Sequence, residues 1–196
     1  MSLMTLTERL MPHLLLAPIL LPMLTAALML TLGEKYQRTK LLMNISSCLI
    51  GLVIAMALVK WSNQDGMATS MSVYLSGNWA APFGIVLVLD RLSALMLLTT
   101  SVVALCAVVY SGARWHRVGV HFHPLFQFQM MGLAGAFLTG DLFNLFVFFE
   151  IMLAASYGLL LHGSGKSRVQ HGLHYIAINL AASSLFLIGV SMLYGI

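Results

Sequence analysis

Residues 140–158 read GDLFNLFVFFEIMLAASYG. Nearly every position suits a helix immersed in oil, yet a carboxylate, Glu150, stands in the middle. How that acid is read depends on its surroundings, and composition decides those first. A chain of 196 residues that is 60% apolar, 8% charged and rich in Met and Phe would expose too much apolar surface as a soluble domain. The fold class that follows is an all-α integral membrane protein.

Working outward from residue 150, six apolar runs are long enough to cross a hydrocarbon slab of about 30 Å at about 1.5 Å per residue. They cover residues 12–32, 41–60, 92–110, 124–139, 142–162 and 173–195, the fourth being the shortest. Glu8 and Arg9 precede a first run too long for a signal-peptide core and without a small-residue cleavage site, so it is expected to stay as a span. Pro18 and Pro22 are expected to bend it.

Basic residues set the orientation. Lys35, Arg38 and Lys40 follow the first run, Arg114 and Arg117 the third, and Lys166 and Arg168 the fifth; only Arg9, Lys60 and Arg91 fall on the other side. Cytoplasmic loops collect Lys and Arg, so the N-terminus is expected outside. Glu8, Asp65, Asp90 and Asp141 fall on that outer side. The net charge of +4 is accounted for by topology and does not suggest a nucleic-acid partner.

The longest connection, residues 61–90, is expected on the outer face between helices 2 and 3. Ser70 to Ser76 alternates polar and apolar, Gly77-Asn78 can turn, and Phe83 to Leu89 is β-branched and apolar, which together predict a short β-hairpin lying on the surface. Trp79 and Phe83 would sit at headgroup level. No internal repeat is visible, and residues 1–196 are expected to form a single membrane domain.

Several motifs dissolve on inspection. Gly163-Ser164-Gly165-Lys166-Ser167 resembles the end of a phosphate-binding loop, but the first glycine of that motif is replaced by Leu160 and a membrane helix precedes it. His121 and His123 lack an accompanying acid or thiol cluster, so they are expected to be loop histidines at the headgroup boundary, and no metal or cofactor is implied. Cys48 and Cys106 lie in separate spans as small apolar residues. Thr139-Gly140-Asp141 is close to a membrane aspartyl-protease motif, but Leu138 precedes it and no second membrane aspartate exists. Asp141 is expected to cap helix 5, and Gly140 to end helix 4.

Glu150 resists such readings. It lies roughly 12 Å and 18 Å from the two ends of its helix, too deep to snorkel. A carboxylate there costs on the order of 2.5–3.5 kcal/mol, so it must be protonated, paired or wetted. The functional reading is a proton relay; the alternative is a protonated acid that hydrogen-bonds a neighbouring helix. If helix 6 runs antiparallel to helix 5, Ser183 and Ser184 fall at the same depth, and small residues on both helices allow close approach. Those serines can bond Glu150 but cannot neutralise it. Lys60 and Arg91 lie at the outer edge, and His162, His171 and His174 at the inner edge, where they could feed protons inward. Any cation at mid-depth is therefore expected from outside these residues, in a longer protein or a partner subunit.

The stretches LTGDLFNLFVFFEIMLAASYGLLLHG (residues 138–163) and APFGIVLVLDRLSALMLL (residues 81–98) resemble the D subunit of the multi-subunit Mrp-type monovalent cation/proton antiporters. That group is related to the antiporter-like, proton-pumping membrane subunits of respiratory complex I. The resemblance implies an N-terminal part of a subunit of about fourteen helices built from inverted repeats. It implies a hetero-oligomeric partner set in a bacterial inner membrane, exchange of Na+ or K+ for protons, and Glu150 as the proton-handling acid. The family's lysine partner on a later helix has no counterpart here. Burial disfavours the charged form of a carboxyl and a nearby ammonium favours it, so a lysine that approaches or withdraws converts position into protonation. Two alternatives stand beside this reading: a membrane subunit of a complex I-like or hydrogenase complex, and a structural assembly module. No nucleophile–base pair suggests an enzyme.

Overall fold

A computed structural model describes residues 13–63, 72–78, 84–113, 121–163 and 165–194. Expectations placed on Glu8, Arg9, Asp65, Ser70, Met71, Trp79, Phe83, Arg114, Arg117 and Ser164, and on the side chains of Lys166 and Arg168, lie outside the described residues.

The apolar runs fold as helices α1 (Ala17–Thr31), α2 (Gln37–Ser62), α3 (Arg91–Ser111), α4 (Phe122–Leu138), α5 (Leu142–Leu160) and α6 (Lys166–Tyr194). Four of them, α2, α3, α5 and α6, contain segments long and apolar enough to cross a membrane. The other two are shorter, α1 with 15 residues and α4 with 17. At ~1.5 Å per residue they extend only ~23–26 Å. The expected start of the first helix also moves: a turn at Leu15 and Leu16 precedes α1. Pro18 therefore lies in the first turn, where its missing N–H costs nothing, and only Pro22 is interior.

Packing centres on α4, which lies against α1 on one side and α5 on the other, while α2 pairs with α3 and α6 lies on α5. Small residues set the α4–α5 spacing. A Cβ at Gly132 would stand 2.8 Å from the backbone nitrogen of Met152, and one at Gly135 would collide with the Phe148 ring. The two helices are therefore in near-backbone contact along this seam. By contrast, α6 leaves Ile178 and Leu185 each 70% exposed.

Strands β1 (Ser72–Leu75) and β2 (Val86–Leu89) pair antiparallel with Ser72 opposite Leu89 and Leu75 opposite Val86. The turn expected at Gly77-Asn78 is a short 3-10 segment, with Gly77 at φ 68°, a left-handed value that favours glycine. The second strand starts at Val86, three residues after the expected Phe83. The expected hairpin forms, and one of its faces is packed. Leu87 and Leu89 are buried in one cluster with Leu15, Leu58, Ala94 and Leu138, so one face of the hairpin plugs the end of the helix bundle. Alternation at period two aims both leucines inward.

Two polar residues also sit elsewhere than expected. Lys40 belongs to the first turns of α2 and is 1% exposed, not a loop residue. His123 begins α4 and is fully buried, with Nδ1 2.9 Å from Asn44 Nδ2, so it is not a histidine at a wet headgroup boundary. Lys40 and Asn44 stand one turn apart on α2 and are both buried, and Asn44 holds His123 through the bond between the two helices.

Candidate functional site

Helix α5 carries three faces. Phe148 and Ala155 are its buried residues, on the side turned to α4. Phe146 and Phe149 meet Phe186 of α6 with ring centroids 6.4 and 6.2 Å apart. Glu150 borders the second face and shares a third with Phe143, Val147 and Ala154, its neighbours at helical spacing. Those three are exposed, Phe143 to 52% and Val147 to 38%. Glu150 itself is half-buried. Its Oε1 is shielded and, among the described residues, has no hydrogen-bond partner. Tyr157, two turns further along the same side, has a buried hydroxyl that likewise lacks a partner among the described residues. Its ring stands edge-on to Tyr175 of α6 at 5.7 Å.

The serines on α6 do not complete the acid. Ser184 donates its hydroxyl to the carbonyl of Leu180 at 2.8 Å. Ser183 lines a cavity of about 320 Å³ between α5 and α6, together with Phe146, Phe149, Leu153 and Phe186. Among the described residues no hydrogen bond joins either serine to Glu150. Phe186 stacks on Phe146 and meets Phe149 edge-on, which makes this stretch of the α5–α6 contact aromatic instead of polar.

The three histidines are held separately. His162 follows the last turn of α5, its ring 5.4 Å from that of Phe122. His174 is exposed, with Nδ1 3.0 Å from the carbonyl of Gln170, and His171 is exposed on the same helix. Asp141 precedes α5 and accepts the Asn144 N–H on Oδ2 at 3.2 Å, so its side chain caps the helix that carries Glu150. A contact that sequence reasoning missed joins the far end of α6 to this cap: the Tyr194 hydroxyl donates to Asp141 Oδ1. The helices thereby meet through ring stacking near Phe186 and through a polar latch at Tyr194. No local pattern in the sequence signals a bond between residues so far apart.

A scan against protein families matches residues 139–196 to the transmembrane family of NADH:quinone oxidoreductase and Mrp antiporter subunits. The chain is 60% identical over 184 residues to the D subunit of a probable K+/H+ antiporter of Rhizobium meliloti, covering 93% of this chain and 34% of the relative. It is 39% identical over 181 residues to the D subunit of the Na+/H+ antiporter of Bacillus subtilis, covering 91% and 36%. Among solved structures, the Mrp complex of Dietzia sp. DQ12-45-1b matches with a TM-score of 0.84 at 35% identity, over 93% of this chain and 34% of that one. An archaeal membrane-bound sulfane sulfur reductase matches with a TM-score of 0.76 at 25% identity, over 93% and 36%. Over more than nine-tenths of its residues the chain is thus similar to antiporter D subunits, while it spans about a third of the length of the relatives it matches.

Proposed function

We propose that these residues form the N-terminal helices of the D subunit in a multi-subunit Mrp-type antiporter that exchanges Na+ or K+ for protons, with Glu150 as the acid that gains and loses the proton. All six helices cross the membrane in this reading, with the hairpin end outside and the Lys35, Arg38 and Lys40 end in the cytoplasm, as the bias of basic residues suggests. The observation that carries it is the position of Glu150: mid-helix, half-buried, with one oxygen shielded and lacking a partner among the described residues. An acid held at that depth for structure alone would be expected to bond a neighbour; one that titrates needs access to water or a cation instead. The counter-cation comes from a segment or subunit packed on the open side of α5, where Phe143 and Val147 are exposed.

Glu150→Gln in the full-length protein, assembled with its complex in everted vesicles, tests this. The amide keeps the shape and cannot titrate. Antiport is expected to fall to background with assembly unchanged; full antiport would leave Glu150 a scaffold residue.

A second reading, a proton-pumping membrane subunit of a complex I-like enzyme, is favoured by the family match, whose description names both groups, and by the sulfane sulfur reductase neighbour. Purification of the protein from its own membranes separates the two. Companion antiporter subunits support the first reading, and iron–sulfur proteins support the second.

A further inference from the structure

Away from Glu150, the middle of the bundle holds polar groups that keep hydrogen-bonding capacity to spare. Gln127 of α4 donates from Nε2 to Asn44 Oδ1 at 2.8 Å and accepts the Ser47 hydroxyl on Oε1 at 3.3 Å. Thr25 of α1 donates to the carbonyl of Leu21 at 2.7 Å, and its oxygen also stands 3.2 Å from Ser47 Oγ. A hydroxyl has one proton. With the Thr25 proton on Leu21, Ser47 Oγ keeps both lone pairs open; with that proton on Ser47, it keeps one, while its own proton goes to Gln127 in either case. The second Nε2–H of Gln127 has only long contacts, to Asn44 O at 3.5 Å and Cys48 Sγ at 3.9 Å. One buried amide hydrogen is thus weakly held beside a buried hydroxyl oxygen that keeps acceptor capacity. Gln127 is 1% exposed and Ser47 5%.

Both groups line the same void. A cavity of about 50 Å³ lies between α1, α2, α3 and α4, walled by Ser47, Cys48, Gln127, Ser101 and Met130 among others. Ser101, on the α3 wall, donates its own proton to the carbonyl of Leu97 at 2.8 Å and so keeps acceptor capacity. A single water needs about 10–15 Å³ and two to four polar partners. A water here would accept from Gln127 Nε2 and donate to Ser47 Oγ and Ser101 Oγ. Water is the small molecule that can accept from the amide and donate to the hydroxyl oxygens at once, and the site lies close to the middle of α2, ten residues or ~15 Å from its start.

We infer that this cavity is a water-binding site, a hydrated pocket at mid-membrane depth among α1, α2, α3 and α4 and separate from the Glu150 helix face. It does not rest on the transport reading. The site explains why a run of polar side chains, from Asn44 through Ser47 to Gln127, is kept within helices otherwise made of oil: each bonds either a neighbour or the bound water.

Radiolytic hydroxyl-radical footprinting of the full-length protein, in its assembled complex and in membranes, tests this, because radicals formed from bound water oxidise the side chains touching it. Met130 lines the pocket, whereas Met131, at the same depth on α4, packs on the apolar cluster at the hairpin end. The expected result is several-fold faster oxidation of Met130 and Cys48 than of Met131. Oxidation of Met130 and Cys48 no faster than that of Met131 would mean a dry void and would overturn the inference. In Gln127→Leu the Met130 and Cys48 rates are expected to fall to that of Met131; unchanged rates in a folded variant would also count against the pocket. Should Gln127→Leu fail to assemble, the wild-type comparison alone decides.

Discussion

Gly140 donates its backbone N–H to the carbonyl of Val86 at 2.9 Å, which ties the β-hairpin to the corner that starts the Glu150 helix. The approach leaves no room for a side chain: a Cβ at Gly140 would stand 2.5 Å from Val88 Cγ2. Leu87 and Thr139 bridge beside it, so the corner is held by strand-like pairing as well as by the Asp141 cap.

Gly140→Ala is therefore expected to push the hairpin from the corner and to destabilise by about 1–3 kcal/mol, the usual range for overpacking. The side chain of Val88 is the obstacle, so Val88→Ala should recover much of that loss. Thermal melting of the two single variants and the double variant checks it. Additive losses would mean that the corner does not depend on this contact.

Gly132 presents a harder obstacle, because the atom 2.8 Å from an added Cβ belongs to the Met152 backbone, which cannot rotate away. Gly132→Ala is expected to force α4 and α5 apart and to cost at least as much as the Gly140 substitution, about 1–3 kcal/mol or more. If Glu150 relays protons as proposed, antiport should fall even where assembly survives, since Met152 lies two residues from Glu150. Normal antiport alongside a lowered melting temperature would show that Glu150 tolerates such a shift.

Hydrophobic runs locate most helix ends to within five residues, although α6 begins seven residues before the expected 173, and the mid-helix placement of Glu150 follows from counting, because both depend on local periodicity. The burial of His123 does not follow. Its partner Asn44 lies 79 positions away, and each residue alone looks like an ordinary polar interruption. The inward face of β2 is hidden for a similar reason: alternation gives the two faces but not which one meets a helix end. The start of α1 is equally illegible, because the apolar run continues through Leu14, Leu15 and Leu16 whether or not the backbone stays helical.

Asp90, just outside the α3 span, offers a pH-dependent contribution. Its Oδ1 accepts the Ser93 N–H at 2.6 Å, and that backbone hydrogen bond, helped by the Ser93 side chain, holds the carboxyl below its ordinary value. A lowered folded-state value gives stability that is present above the unfolded value, about 3.9, and is lost as pH falls through the folded one. Asp90→Ala should cost about 1 kcal/mol at neutral pH, as for other N-caps. Asp90→Asn keeps the acceptor without the charge. The gap between wild type and Asp90→Asn should close as pH is lowered into the acid range, and a gap that stays constant would remove the charge from the account.

The buried polar group on α2 and α4 gives the sharpest stability test. Asn44 is fully buried and bonds both His123 Nδ1 and Gln127 Nε2. Asn44→Leu removes an acceptor and a donor at once while leaving Gln127 and His123 in place, so a cost of about 1–3 kcal/mol is expected from stranded polar groups. Adding Gln127→Leu removes one of the stranded partners. If the desolvation of that partner is the main cost, the double variant will be less destabilised than the sum of the singles, since an apolar pair replaces a polar pair in shape. A larger-than-additive loss would instead mean that the network holds α2 on α4 through geometry that leucines cannot reproduce. Melting of all three variants in the same detergent, with assembly monitored alongside, distinguishes these outcomes.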